Sequence, residues 1–155
     1  SSYQTYCLMP GLKILVLCTG NSCRSQIAEG FLGHYLGEEA IIQSAGIEAN
    51  GLNLKAVEVM REIGIDISRQ SSKTMDELED REWDYILTVC DHARENCPYL
   101  PGKAHRIHQD FPDPAKAEGS QTEVLNAFRN TRDQIQTYIK RLAKTLKESR
   151  DLKEF

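Results

Sequence analysis

Residues 15–31 read LVLCTGNSCRSQIAEGF, and the fold turns on how that stretch divides. An apolar run ends at Cys18, small and polar residues follow, and from Arg24 or Ser25 the apolar spacing becomes helical. The run over 12–17 suits a strand buried in a parallel sheet. In the helix, Ile27, Phe31 and Tyr35 fall on one stripe with Ala28, Leu32 and Leu36 beside it, and Gly37 is placed to end it. A strand thus hands over to a helix through a short loop with a cysteine at one end and an arginine at the other.

The alternation continues outward. A second strand is predicted over 40–47, then a helix with Leu54, Val57, Met60 and Ile63 on one face that stops at Gly64. Thr74 and Glu77 have capping-box spacing for a short helix, a third strand runs over 85–89, and a fourth over 104–107. Residues 110–119, rich in Pro and Asp, read as a loop. Ser120 and Glu123 open a long last helix with Val124, Phe128, Ile135, Leu142 and Leu146 as its core stripe. Strands alternating with helices make βαβ units, so the expected class is α/β: one domain, a four-stranded parallel sheet with helices on both faces. Its expected limits are 12–148, between an N-terminal extension over 1–11 and a charged tail over 149–155.

At 155 residues the chain can bury one substantial core without disulfide or metal staples. A net charge of −4 and a pI near 5.6 argue against a general nucleic-acid binder. No apolar run approaches the roughly 20 residues that span a bilayer, and SSYQTYCLMPG lacks the basic and apolar regions of a secretory signal. With five cysteines and no leader, the expected location is the reducing cytoplasm, where thiols are more often catalytic than structural.

Sheets of this class bind ligands at the carboxyl ends of their strands, and both Cys18 and Cys90 fall there. A loop over 18–24 that wraps into a helix N-terminus gathers backbone N–H groups at one point and adds the helix dipole. Gly20 permits the turn, Asn21 and Ser22 can brace it, and Arg24 offers a planar fork to two oxygens of a tetrahedral oxyanion. The same field favours thiolate at Cys18, aimed at the centre of the bound oxyanion. The plainer reading is that Cys18 is a small buried hydrophobe at a strand end. A nucleotide P-loop would need GxxxxGK and Ser or Thr, which is absent; zinc on Cys18, Cys23, Cys90 and Cys97 would need narrower spacings, so no metal site is expected.

The string CTGNSCRS, directly after an apolar strand, resembles the phosphate-binding loop of the low-molecular-weight protein tyrosine phosphatase superfamily. Position by position it is most similar to the branch of thioredoxin-coupled arsenate reductases, with further likeness in SAGIE, GIDIS, the 90–97 segment, DPA and the last helix. The resemblance implies that Thr19, Gly20, Asn21, Ser22, Cys23, Arg24 and Ser25 bind the oxyanion, Cys18 attacks arsenate, and Asp113 protonates the departing oxygen. It implies further that Cys90 and then Cys97 carry the disulfide away from Cys18, that reduced thioredoxin reopens the Cys90–Cys97 bond, and that residues 90–100 rearrange on oxidation. No bound cofactor is implied, and a monomer is expected. Asn21, Glu29 and Ser44 match positions associated with a potassium ion in some members, but Lys73 stands where those carry an acidic residue, so potassium activation is not expected.

Alternatives remain open on the residues. A phosphatase of the same fold would use the loop and need neither later thiol, and a thiol-based arsenite or peroxide sensor would need no Asp113. Asp113 in FPDPA could be a turn former, with Asp110 as its understudy. Cys23 is expected to pack under the loop, Trp83 and Tyr85 at the start of the third strand, and His34, His105 and His108 to face solvent.

Overall fold

The computed structural model describes residues 11–38, 40–79, 82–96, 102–148 and 155. In chain order it contains β1 (Lys13–Cys18), α1 (Arg24–Leu36), β2 (Ile41–Gly46), α2 (Leu54–Arg61), a 3-10 turn (Met75–Glu77), β3 (Tyr85–Thr88), α3 (Asp91–Asn96), β4 (His105–His108), a second 3-10 turn (Pro114–Lys116) and α4 (Gln121–Lys147). All four strands are parallel in the order β2-β1-β3-β4. β1 therefore lies inside the sheet, and its end at Cys18 has a strand end on either side. The predicted single α/β domain stands; the extension over 1–10, the tail over 149–154 and Cys97 lie outside the described residues.

Alternation along β1 divides the core. Ile14, Val16 and Cys18 join Leu87, Val89 and Ile107 on the face covered by α1, α2 and α4, where Phe31 and Phe128 are fully buried. Leu15 and Leu17 point the other way, with Ala45 and Ile86, into a smaller cluster closed by Met75, Leu78 and Trp83. Both faces are covered, but unequally: the second has a 3-10 turn, not a full α-helix. Thr74 opens that turn with its backbone N–H bonded to the Glu77 carboxylate at 2.7 Å. Trp83 lies just before β3 with the Lys13 ammonium 5.4 Å from its ring centre.

α4 begins as its capping box requires, with the Glu123 N–H donating to Ser120 Oγ at 3.1 Å. Its buried side includes Phe128, Ile135, Leu142 and Leu146 as expected, and also Arg132. That guanidinium donates to the Val59 carbonyl and to Glu62, both at 2.8 Å, which satisfies the end of α2 and ties it to α4. α2 departs from its predicted stripe. Val57 and Met60 are buried, but Leu54 is 81% exposed and Ile63 38%, because Leu54 opens the helix beside its Asn53 cap and Ile63 lies past its end. The strands at β2 and β3 are shorter than predicted by one or two residues, β4 starts one later, and the loop over 110–119 holds a 3-10 turn at Pro114–Lys116. Among the described residues no helix is long and apolar enough to cross a membrane.

Candidate active site

The loop between β1 and α1 is shaped by where its carbonyls go. Those of Thr19, Gly20 and Ser22 accept from the N–H groups of Glu48, Asn50 and Asn53 at 2.9, 2.9 and 3.1 Å. In a trans peptide the N–H points opposite to the C=O, so the N–H groups of Gly20, Asn21 and Cys23 turn away from that support, toward the hollow of the loop. The result is a concave set of donors at the start of α1, suited to an oxyanion without any basic surface.

Asn21 holds the curve. It is fully buried and adopts φ +48°, a conformation that asparagine tolerates better than most residues. Its amide donates to Ser25 Oγ at 2.8 Å and Ser44 Oγ at 2.9 Å, and its carbonyl oxygen accepts from the Lys73 N–H at 2.9 Å. Gln26 donates to the Asn21 main-chain carbonyl at 3.0 Å and is itself held by Gln70 at 2.9 Å. Gly46 lies against the loop so closely that a Cβ there would stand 2.7 Å from the Thr19 carbonyl oxygen and 2.8 Å from the Asn21 nitrogen.

Arg24 is the first residue of α1, and its side chain reaches the segment after β4. It donates to the Phe111 carbonyl at 3.0 Å and pairs with Asp113 at 3.7 Å. Asp113 is a turn former as well: its other carboxylate oxygen accepts from the Ala115 N–H at 3.0 Å and caps the 3-10 turn. The two readings of this residue are compatible, because the cap fixes the carboxyl beside Arg24. Asp110 points elsewhere, accepting from the Asp91 N–H at 2.9 Å.

Neighbouring strand ends bring Cys90 to Cys18. Leu17 is in register with Thr88, and Cys90 follows two residues later. The two thiols are close enough to act on each other's ionisation, and Cys90 Sγ also contacts Thr19 Oγ1 and accepts from the Ala93 N–H, each at 3.3 Å. Two thiols in contact titrate as a pair. The bond to Cys90 and burial push Cys18 up despite Arg24, while Cys18, Thr19 and the Ala93 N–H hold Cys90 well below the usual thiol range. Cys23 is buried under the loop, and burial pushes its thiol up to about 11.

Residues 13–152 match the low molecular weight phosphotyrosine protein phosphatase family. The chain belongs to this family. An arsenate reductase of Halalkalibacterium halodurans is 52% identical over 132 residues, 85% of this chain and 95% of that protein. One from Bacillus subtilis is 47% identical over the same shares. Among solved structures, an arsenate reductase in its phosphate-binding state aligns with TM-score 0.68 at 27% identity, covering 87% of this chain and 98% of that one. A low molecular weight protein tyrosine phosphatase from T. tengcongensis aligns with TM-score 0.69 at 28% identity, covering 87% and 99%.

Within this family member, the structure assembles Cys18, the loop over 19–25, Arg24, Asp113 and Cys90, whereas Cys97 falls outside the described residues. Sequence reasoning missed Gln26, Gln70, Gly46 and the Phe111 carbonyl as supports of the site. His34 and His105 are exposed as expected, but His108 is not a solvent-facing side chain: its Nδ1 and Nε2 lie 2.7 Å from Thr88 Oγ1 and Asp91 Oδ1. Among the described residues no group of three or more His, Cys, Asp or Glu side chains converges as a metal site would need.

Proposed function

We propose that the chain is an arsenate reductase that works through a three-cysteine relay recharged by reduced thioredoxin in the reducing cytoplasm. The observation that carries this reading is Cys90 seated against Cys18: hydrolysis of a phosphate ester needs the cradle, Cys18, Arg24 and Asp113, but has no use for a second thiol on the nucleophile. The arsenate reductases among the relatives support the same substrate.

Arsenate enters the donors of the loop, and Arg24 turns its fork from the Phe111 carbonyl toward the anion. The proton of the thiol pair moves to Cys90, and Cys18 thiolate attacks arsenic. Asp113 protonates the departing oxygen, which leaves as water. Cys90 gives its proton to an oxygen on arsenic and attacks Cys18 Sγ; the sulfur–sulfur bond forms as the sulfur–arsenic bond breaks. The electron pair of that bond stays on arsenic, so arsenate becomes arsenite while two thiols become a disulfide. Cys97 thiolate then attacks Cys90 Sγ, freeing Cys18, and the thioredoxin dithiol reduces the Cys90–Cys97 bond.

Potassium has no part in this scheme, because the Lys73 ammonium already sets a positive charge against the Glu29 carboxyl and would stand in for the ion. Both functions of the Asn21 amide are committed to Ser25, Ser44 and the Lys73 N–H, Glu29 accepts from Ser44, and the Lys73 ammonium donates to the Ser71 carbonyl at 3.2 Å. Equal kcat/KM in potassium and sodium at matched ionic strength is expected; a several-fold gain in potassium would overturn this point.

The test is arsenate-dependent NADPH oxidation with thioredoxin and thioredoxin reductase, run beside hydrolysis of a small aryl phosphate. Cys18→Ser, Cys90→Ser and Cys97→Ser should each abolish arsenate turnover, and only Cys18→Ser should abolish hydrolysis. Robust hydrolysis with no arsenate turnover in the unmodified chain would make it a phosphatase instead.

A further inference from the structure

α3 begins one residue after Cys90, and two side chains from outside the helix reach that beginning, one of them backed by a third. The Asp110 carboxylate accepts from the Asp91 N–H at 2.9 Å. His108 reaches the Asp91 carboxylate with Nε2 at 2.7 Å. A carboxylate can only accept, so Nε2 carries the hydrogen, and the Thr88 hydroxyl at 2.7 Å completes the ring at Nδ1. Arg94, on α3 itself, adds a looser contact to the same Asp91 oxygen at 3.6 Å. Thr88 and His108 are the paired last residues of β3 and β4, so the anchor of this chain of contacts is the sheet.

The geometry points to a latch. We infer that Thr88, His108 and Asp110 hold Asp91 so that Cys90 stays seated beside Cys18, and that the strength of this hold sets how readily Cys90 leaves its seat. The reasoning is positional. Cys90 is only 2% exposed, and its sulfur is placed by the Ala93 N–H within the first turn of α3 and by Thr19 across the site. Asp91 is the residue between Cys90 and that turn, and both its N–H and its carboxylate are pinned from β4 and the segment after it. Loosening Asp91 therefore frees the first turn of α3, and Cys90 with it. This inference rests in part on the relay proposed above, since the seat is where Cys90 meets Cys18. His108, Thr88 and Asp110 act through Asp91 and are positioning residues.

The test uses the reduced full-length chain without arsenate. The thiols are labelled with a small neutral alkylating reagent at one fixed pH above about 9, where Cys90 is ionised and its access limits the rate, and each site's rate is compared between variant and unmodified chain by peptide mass spectrometry. Asp91→Ala and His108→Ala should each speed labelling of Cys90 by about fivefold, the equivalent of one net hydrogen bond. The double variant should gain nothing further, because both changes break one contact. Cys23, buried under the loop and untouched by the latch, is the internal control. In a Cys97→Ser background the same variants should slow arsenate-driven formation of the Cys18–Cys90 disulfide. Unchanged Cys90 labelling, or a parallel rise at Cys23 that signals general loosening, would overturn the latch. A Cys90-selective rise in a protein that makes no disulfide with arsenate would uphold the latch and remove the reductase reading.

Discussion

Gly46 shows what a single atom does to this site. It is the last residue of β2, paired with Cys18, and a methyl group there would meet only backbone: Glu48 O, Thr19 O and Asn21 N. No flexible tip is available to yield, so the loop itself must move. Gly46→Ala should cost about 1–3 kcal/mol in urea unfolding, as overpacking does, and lower kcat/KM on either substrate by about 100-fold, as small misplacements of a reacting geometry can. Glu29 gives a pH signature instead. Its burial raises the folded-state carboxyl above its ordinary value, with Ser44 and Lys73 opposing in part. The folded chain then holds a proton that the unfolded chain releases, so this contribution is fully present below the unfolded value of about 4.3 and is lost as pH rises through the folded value. Glu29→Gln should remove that loss, and the variant should gain on the unmodified chain with rising pH in an unfolding series. The string from Cys18 to Ser25 made the candidate thiol, loop and arginine legible because all are local. Gln70 and Gly46 gave no such signal: their partners lie 44 and about 25 residues away in sequence, joined only by the sheet and its crossovers.

Helices carry the next level of meaning, and α4 is the most separable. Its start depends on Ser120 and Glu123, both remote from Cys18. Ser120→Ala should lower stability by about 1 kcal/mol and leave kcat/KM unchanged, as measured by urea unfolding beside the coupled assay. The capping pair was readable because it is a fixed spacing followed by a helical stripe. Arg132 was not, since nothing in a helical pattern says that a guanidinium on the inner side will find the Val59 carbonyl and Glu62 waiting for it. α2 failed in the opposite direction. Leu54 has the right spacing to join Val57 and Met60, yet it opens the helix above solvent because Asn53 caps there and is bound to Ser22. Periodicity assigns a face to a helix; the loop before it decides how much of that face is covered.

Across the whole molecule, a net charge of −4 is compatible with the anion site proposed at the loop, because the attraction would come from N–H groups and one arginine. Occupation of the cradle should therefore stabilise the entire fold, since β1 and α1 both end in it. Phosphate at 100 times its Kd should add about 2.7 kcal/mol, a rise in Tm of about 5–11 °C for a chain of this size. Arg24→Lys should remove most of that rise, because an ammonium lacks the fork that grips two oxygens. The βαβ alternation predicted the sheet and the end of it where ligands bind, but it did not foretell the unequal cover of the two faces. Trp83 lies under the thinner cover, at the entry end of β3, while the cradle is at the exit end of the strands on the other side of Leu15 and Leu17. It is also the only tryptophan in the chain. Its fluorescence is consequently expected to follow unfolding of the sheet more than occupation of the loop, and an emission change that tracks phosphate binding in the folded chain would show the two ends of the sheet to be coupled.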